Sequence, residues 1–166
     1  GVEATWAFES SEGHWVQHFA EAVPGWSAKN LGVVYRFGQQ MYTPEDIEEE
    51  ALIKDDRPYA GLLFGGVSVL NQSQNEGWRL AESIHFDLGI VGPASGAGAL
   101  QRDFHDWIAT DDPSGWDNQL ENEPIANIAY KRAWVLQQRF AGLEAEYGPS
   151  AGFALGNLYT YASSGL

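Results

Sequence analysis

His105 follows Gln101 by four positions, a spacing that places two side chains one helical turn apart on a shared edge. Leu100, Phe104, Trp107 and Ile108 recur at i, i+4, i+7 and i+8 and predict that helix over residues 100–108. A neutral imidazole between an apolar stripe and solvent can take a proton from water, and an amide one turn earlier can orient water or a carbonyl. The same spacing also suits an ordinary histidine on the flank of a loop helix. Asp103, Asp106, Asp111 and Asp112 crowd the same segment. Oxygen-rich groups suit Ca²⁺, which takes about six to eight oxygen ligands. No EF-hand spacing is present, and such a run equally makes a solvated acidic loop.

Lys54-Asp55-Asp56-Arg57-Pro58-Tyr59-Ala60-Gly61 reads as a charged turn feeding a strand. Lys54 could hold a developing oxyanion or a phosphate, or be a solvated loop lysine. Asp56 and Arg57 read as a structural pair at the strand mouth. Gly115-Trp116-Asp117-Asn118-Gln119 reads as a tight turn with a large anchor packing a loop. His14 and His18 have the spacing of a helical zinc pair, but Trp15 stands where a general-base Glu would be and no third ligand is evident. Gly148-Pro149-Ser150-Ala151-Gly152 matches G-x-S-x-G. A strand pattern follows it where a nucleophile elbow needs a helix, so a turn or bulge is expected instead.

The elements around these residues alternate with period two, the mark of strands with one apolar face. Val2, Ala4, Trp6 and Phe8 share one side; Leu31, Val33, Tyr35 and Phe37 share another. Ile84, Phe86, Leu88 and Ile90 form a third set, and Ile128, Tyr130, Trp134 and Leu136 a fourth. Leu143, Ala145, Tyr147, Phe153, Leu155, Tyr159 and Tyr161 keep one parity. With residues 60–71 this makes six candidate strands, the last divisible in two at a turn over 148–150. Segments 83–91, 125–140 and 153–162 reach or exceed the roughly 9–11 residues of a membrane barrel strand. Aromatics crowd one side, and Lys, Arg, Gln, Asp, Ser and Gly the other. That pattern fits an outer-membrane barrel, and equally a soluble sandwich or small barrel with its apolar side inward. Glu82 and Arg132 interrupt their apolar faces. A second short helix is expected from Thr43, with Pro44 at its first position.

Composition narrows the choices. The 166 residues fit one domain, and 44% hydrophobic against 19% charged residues excludes a disordered chain. Nine Lys and Arg against 23 Asp and Glu give a formal charge of −14, which argues against a nucleic-acid partner. It suits a cationic partner, or a polyanion bridged by a divalent metal. Cys is absent, so disulfides and thiolate metal sites are excluded. No apolar run approaches the roughly 20 residues of a membrane helix. The chain begins and ends in strand patterns, so a fragment is expected.

At these residues the chain resembles a known family, the lipid A 3′-O-deacylases of Gram-negative outer membranes. The resemblance rests on Tyr42-Thr43-Pro44-Glu45-Asp46-Ile47, Asp55-Asp56-Arg57-Pro58-Tyr59-Ala60-Gly61 and Asp87-Leu88-Gly89-Ile90-Val91-Gly92-Pro93-Ala94. It continues in Gln101 with His105, and in Gly115-Trp116-Asp117-Asn118-Gln119 followed by Asn122-Glu123-Pro124. What it implies is an all-β fold: a twelve-stranded antiparallel transmembrane barrel with a short helix in an extracellular loop. This chain would supply about six long strands, as a single partial barrel domain over 1–166. The family's Asn-Asp pair and its Tyr-Thr-Asn would lie upstream of Gly1.

The implied activity is hydrolysis of the ester holding the 3′-O-linked acyl chain of lipid A in lipopolysaccharide. His105 would act on water as general base, with Gln101 beside it and Lys54 as the site lysine. Asp111 would be the acidic residue serving a bound Ca²⁺ that stabilises the oxyanion. The implied setting is a monomer in the outer membrane of a Gram-negative bacterium, with membrane lipid and no nucleic acid as partner. Two other functions fit the residues: a non-catalytic outer-membrane barrel, or a soluble β-sandwich acting on or binding carbohydrate.

Overall fold

The computed structural model describes residues 1–26, 31–111, 113–140 and 142–166. Asp112 lies outside them. Among the described residues the strands are β1 (Val2–Glu9), β2 (Gly32–Tyr42), β3 (Ala60–Asn75), β4 (Trp78–Val91), β5 (Glu123–Phe140), β6 (Leu143–Tyr147), β7 (Ser150–Gly156) and β8 (Tyr161–Gly165). Helices α1 (Trp15–Ala22) and α2 (Ala97–Ile108) lie between β1 and β2 and between β4 and β5. The strands form one sheet in the order β1-β2-β3-β4-β5-β7-β8, with β6 also paired to β5. β3, β4 and β5 run 16, 14 and 18 residues, long enough to cross a bilayer on a tilt. No described helix is long and apolar enough to cross a membrane.

Eight strands replace the expected six or seven. Gly148-Pro149 does not turn the chain back: Leu136 faces Tyr147 and Ala133 faces Ser150 in one unbroken antiparallel register along β5. Proline has no N–H to give the ladder, so the pairing lapses there without changing direction, although Trp134 N–H still donates to Pro149 O at 3.0 Å. The real reversal falls inside the segment expected as one strand over 153–162. Asn127 Nδ2 donates to Tyr159 O at 2.7 Å, its Oδ1 accepts from Leu158 N–H at 3.0 Å, and Thr160 Oγ1 donates to Gly156 O at 2.9 Å. Tyr161 therefore faces Ala154 across the β7–β8 pair, not the Phe153 side. Tyr159 sends its hydroxyl to Asp87 Oδ2 at 3.2 Å. Both tyrosines leave the apolar face that parity alone assigned them, because a tight reversal resets parity.

The chain divides into two compact units. One comprises Gly1–Ala4, Arg36–Gly65 and Leu88–Ile125; the other comprises Thr5–Tyr35, Gly66–Asp87 and Ala126–Leu166. In the second unit, Ser68, His85 and Asp87 share a side with Ala129 and Ala154. The opposite side carries Phe86, Ile128, Trp134, Phe153 and Leu155, all exposed. Register makes this concrete: Tyr130 stands opposite Phe153 with ring centroids 5.9 Å apart, while Lys131 faces Gly152. Large apolar groups thus point outward and small or polar ones inward, the reverse of a soluble sandwich.

Helix α1 was not visible as a helix in the sequence, and the helix expected from Thr43 does not form. His14 caps α1, its Nδ1 accepting from Val16 N–H at 3.4 Å. Val16 and Ala20 pack against Leu31, Val33 and Val69, all buried, with Phe8 and Phe19 at the margin. Each buried Val or Leu there contributes about 1.5–3 kcal/mol. In the first unit, Leu62, Phe64 and Ile125 form a cluster with Val91. A methyl on Gly38 would sit 2.8 Å from the Phe64 ring, so that glycine makes room for it.

Candidate active site

The first unit also holds the predicted site. β4 ends at Val91, and a 3₁₀ turn over Pro93–Ser95 leads through Gly96, at φ 70°, into α2. Glycine suits that left-handed conformation. Ser95 Oγ donates to Gly92 O at 2.6 Å, Gln39 Nε2 donates to Ser95 O at 2.6 Å, and Asn122 Oδ1 accepts from Ala94 N–H at 2.8 Å. These bonds tie the entry of α2 to β2 and to the segment before β5. Ala97 is buried against Tyr59 and Trp116, and a methyl on Gly98 would come within 3.0 Å of the Trp116 ring.

The stripe that predicted α2 faces away from the protein. Leu100, Phe104, Trp107 and Ile108 are all exposed, Trp107 at 80%. On the stripe's edge, the sequence-predicted pair meets: Gln101 Nε2 lies 3.5 Å from His105 Nε2. His105 Nδ1 lies 2.6 Å from the backbone oxygen of Asp111. A carbonyl only accepts, so Nδ1 carries the proton of the neutral ring and Nε2 keeps its lone pair. Ala109, at φ 52°, ends the helix, and Thr110 N–H donates to His105 O at 3.2 Å, which folds the chain back so that Asp111 reaches the imidazole.

Asp111 thus meets the imidazole through its backbone. Its carboxylate meets Glu48 from the loop over residues 43–59. Repulsion by Asp111, a hydrogen bond to it and the nearby Asp46 raise the Glu48 carboxyl above its ordinary range. Sequence spacing could not show this pair, because its members lie on different loops. Two facing carboxylates are a donor set a divalent cation would relieve, but they supply only part of the shell calcium takes. No group of three or more His, Asp or Glu able to hold a metal occurs among the described residues.

Lys54 lies in an exposed turn of the same loop and makes no hydrogen bond or ion pair among the described residues. Asp56 is structural: its carboxylate accepts from Glu45 and Arg57 N–H, each at 2.7 Å. Those two bonds hold its carboxyl below the ordinary range. Tyr59 Oη donates to Ile47 O at 2.9 Å, and Asn118 Nδ2 donates to Glu50 O at 2.7 Å, so the loop is fastened to the Gly115–Asn118 turn. Trp116 in that turn is 2% exposed, packs on Tyr59 with centroids 4.9 Å apart, and donates from Nε1 to Gln101 Oε1 at 2.9 Å.

The other candidates fall away from chemistry. His14 is a helix cap, and His18 faces solvent beside Glu21 at 3.7 Å, so the two do not form a metal pair. Ser150 sits in strand β7, opposite Ala133 and Gly165, with no helix behind it.

A family model described as "Outer membrane protein LpxR" matches residues 1–166. The solved structure of LpxR from Salmonella typhimurium superposes with a TM-score of 0.73 at 17% identity, over 96% of this chain and 49% of that one. No curated protein sequence matches the chain. The chain therefore spans about half the length of the solved relative and shares the fold of its outer-membrane β-barrel. Taken with the match along its whole length, this makes the chain a member of the LpxR outer membrane protein family, the lipid A 3′-O-deacylases whose motifs it resembles.

Proposed function

We propose that the protein removes the 3′-O-linked acyl chain of lipid A by hydrolysis, with His105 as general base. One observation carries this reading: the Asp111 carbonyl holds His105 Nδ1–H at 2.6 Å, which leaves the Nε2 lone pair turned to Gln101 at the helix edge. In the proposed step Nε2 takes a proton from water as the water oxygen attacks the ester carbonyl. The tetrahedral intermediate collapses, the ester C–O bond breaks, and the proton passes to the departing sugar oxygen. A free fatty acid and a 3′ hydroxyl result. The attacking water takes the place of the Gln101 NH₂ at the Nε2 lone pair, the displaced amide orients the water or the carbonyl, and Lys54 faces the anionic headgroup from its loop. The exposed stripe of α2 lies in acyl chains, which brings an insoluble ester to the imidazole without extracting it from the membrane.

Calcium belongs to the same proposal. Glu48 and Asp111 would supply two of its ligands, and the bound ion would stabilise the oxyanion. The protein acts as a monomer on lipopolysaccharide within the membrane plane.

Mass spectrometry of lipid A from cells expressing the complete gene tests the reaction. Wild type should lose one ester-linked acyl chain, and His105→Ala should retain it. An unchanged acyl pattern in both would leave a barrel without this activity.

A further inference from the structure

The proposed step needs a bare Nε2 on His105, and the Gln101 side chain meets that nitrogen at 3.5 Å. An amide can face that nitrogen with either end. Its NH₂ would donate to a lone pair, whereas its carbonyl oxygen would demand a proton there. Nothing within α2 decides between the two ends. Trp116 does. Its indole Nε1 is a donor only, and it lies 2.9 Å from Gln101 Oε1. That bond assigns the oxygen to the tryptophan and turns the NH₂ toward His105. The Asp111 carbonyl acts on the opposite edge of the imidazole, where it calls for Nδ1–H.

We propose that Trp116 is a positioning residue for the reaction: its indole N–H orients the Gln101 amide and so keeps the His105 ring in the Nδ1–H form. The inference rests on the proposed role of His105 and deepens it. The surroundings are built for a fixed indole. Trp116 is 2% exposed, packed at a 54° tilt on Tyr59 and pressed against the α2 backbone at Gly98, where a methyl would already be crowded at 3.0 Å. Tyr59 in turn is anchored through its hydroxyl to Ile47 O at 2.9 Å. Packing alone would be met by any large ring; the polar edge directed at Gln101 serves the amide.

Trp116→Phe keeps an aromatic ring and removes the donor, and β-(3-benzothienyl)alanine at 116 does the same at nearly full tryptophan volume should the phenylalanine variant misfold. Nitrogen-15 spectra of the complete protein should show wild-type His105 with a bare Nε2, and either variant should mix in the Nε2–H form. On lipid A in mixed micelles, kcat should fall about tenfold at little changed KM. In a Gln101→Met background the same replacement should change kcat by less than about twofold, because Trp116 acts through that amide. An unchanged His105 spectrum, or an equal loss of kcat in both backgrounds, would overturn the proposal. Full activity in His105→Ala would instead sink the general-base reading, while the nitrogen spectra would still judge the orienting role of Trp116.

Discussion

Glu82 and Arg132 stand 50 residues apart and meet on the outward face of the sheet. One Glu82 oxygen accepts from Arg132 Nε at 2.9 Å, from Arg132 Nη2 at 2.6 Å and from Tyr130 Oη at 2.6 Å. The Glu82 side chain is 1% exposed, and the guanidinium lies 5.7 Å from the Trp134 ring. The two charges that break the apolar pattern therefore neutralise each other across β4 and β5. A buried carboxylate left without its partner is the costly state. Arg132→Met should destabilise the barrel by about 2 kcal/mol, less than for a fully buried pair because the arginine is a third exposed. Glu82→Met with Arg132→Met should recover most of that loss in urea unfolding from lipid vesicles. An additive double variant would refute the argument.

Gly61 supports the site from β3. A methyl there would overlap Ser95 Oγ and the Ala97 side chain. Gly61→Ala should lift the start of α2 off the strand, at a cost of about 1–3 kcal/mol. Deacylation should fall while strand content by circular dichroism is kept. Unchanged activity would mean that α2 does not depend on this contact.

Glu48 and Asp111 would give the proposed calcium binding a pH dependence. The Asp111 charge raises the Glu48 carboxyl, so Glu48 stays protonated to a higher pH than an isolated glutamate. A ligand must shed that proton, so affinity should fall as pH drops through the raised value and recover above it. For folding the sign is opposite: the repulsion is absent below the ordinary carboxylate range and grows as pH rises through the raised value. Calorimetry with calcium at pH 5 and pH 7.5 should show the weaker binding at pH 5. Glu48→Gln should weaken binding at both. A pH-independent affinity would remove the pair from the site.

Asp56 behaves in the other direction. Its carboxylate is held below the ordinary range by the Glu45 and Arg57 N–H groups. The stability it lends the loop is present above the ordinary carboxylate value and lost as pH falls through the lowered one. Asp56→Ala should make the loop over residues 43–59 cleavable by protease at neutral pH, and leave the strands intact. Equal cleavage of wild type and variant would show that the Asp56 carboxylate does not hold the loop.

Much of this could be read from residue order. Alternation along β2, β4 and β5 located the long strands and their aromatic side, since period two follows from the pleat alone. The stripe from Leu100 to Ile108 located α2 and brought Gln101 to His105. Tertiary contacts explain the rest. Tyr159 and Tyr161 switch sides because Asn127, on another strand, satisfies the backbone of a reversal that has no glycine or proline at its tip. The eight residues of α1 are too short for a convincing helical period, and their burial depends on Leu31, Val33 and Val69. Glu48 reaches Asp111 only once Tyr59 and Asn118 have fastened one loop to the other. Trp116 was legible as an anchor, but its indole N–H had no visible acceptor until Gln101 was placed in space.

Helix α1 covers Val33 and Val69 and turns His18 and Glu21 to the outside at 81% and 65% side-chain exposure. Polar side chains of that kind, one of them a carboxylate, are expensive in hydrocarbon. A bilayer around the strands is therefore expected to stop short of this level. On that expectation, eight residues packed on Leu31, Val33 and Val69 would limit how deeply the strands can sink.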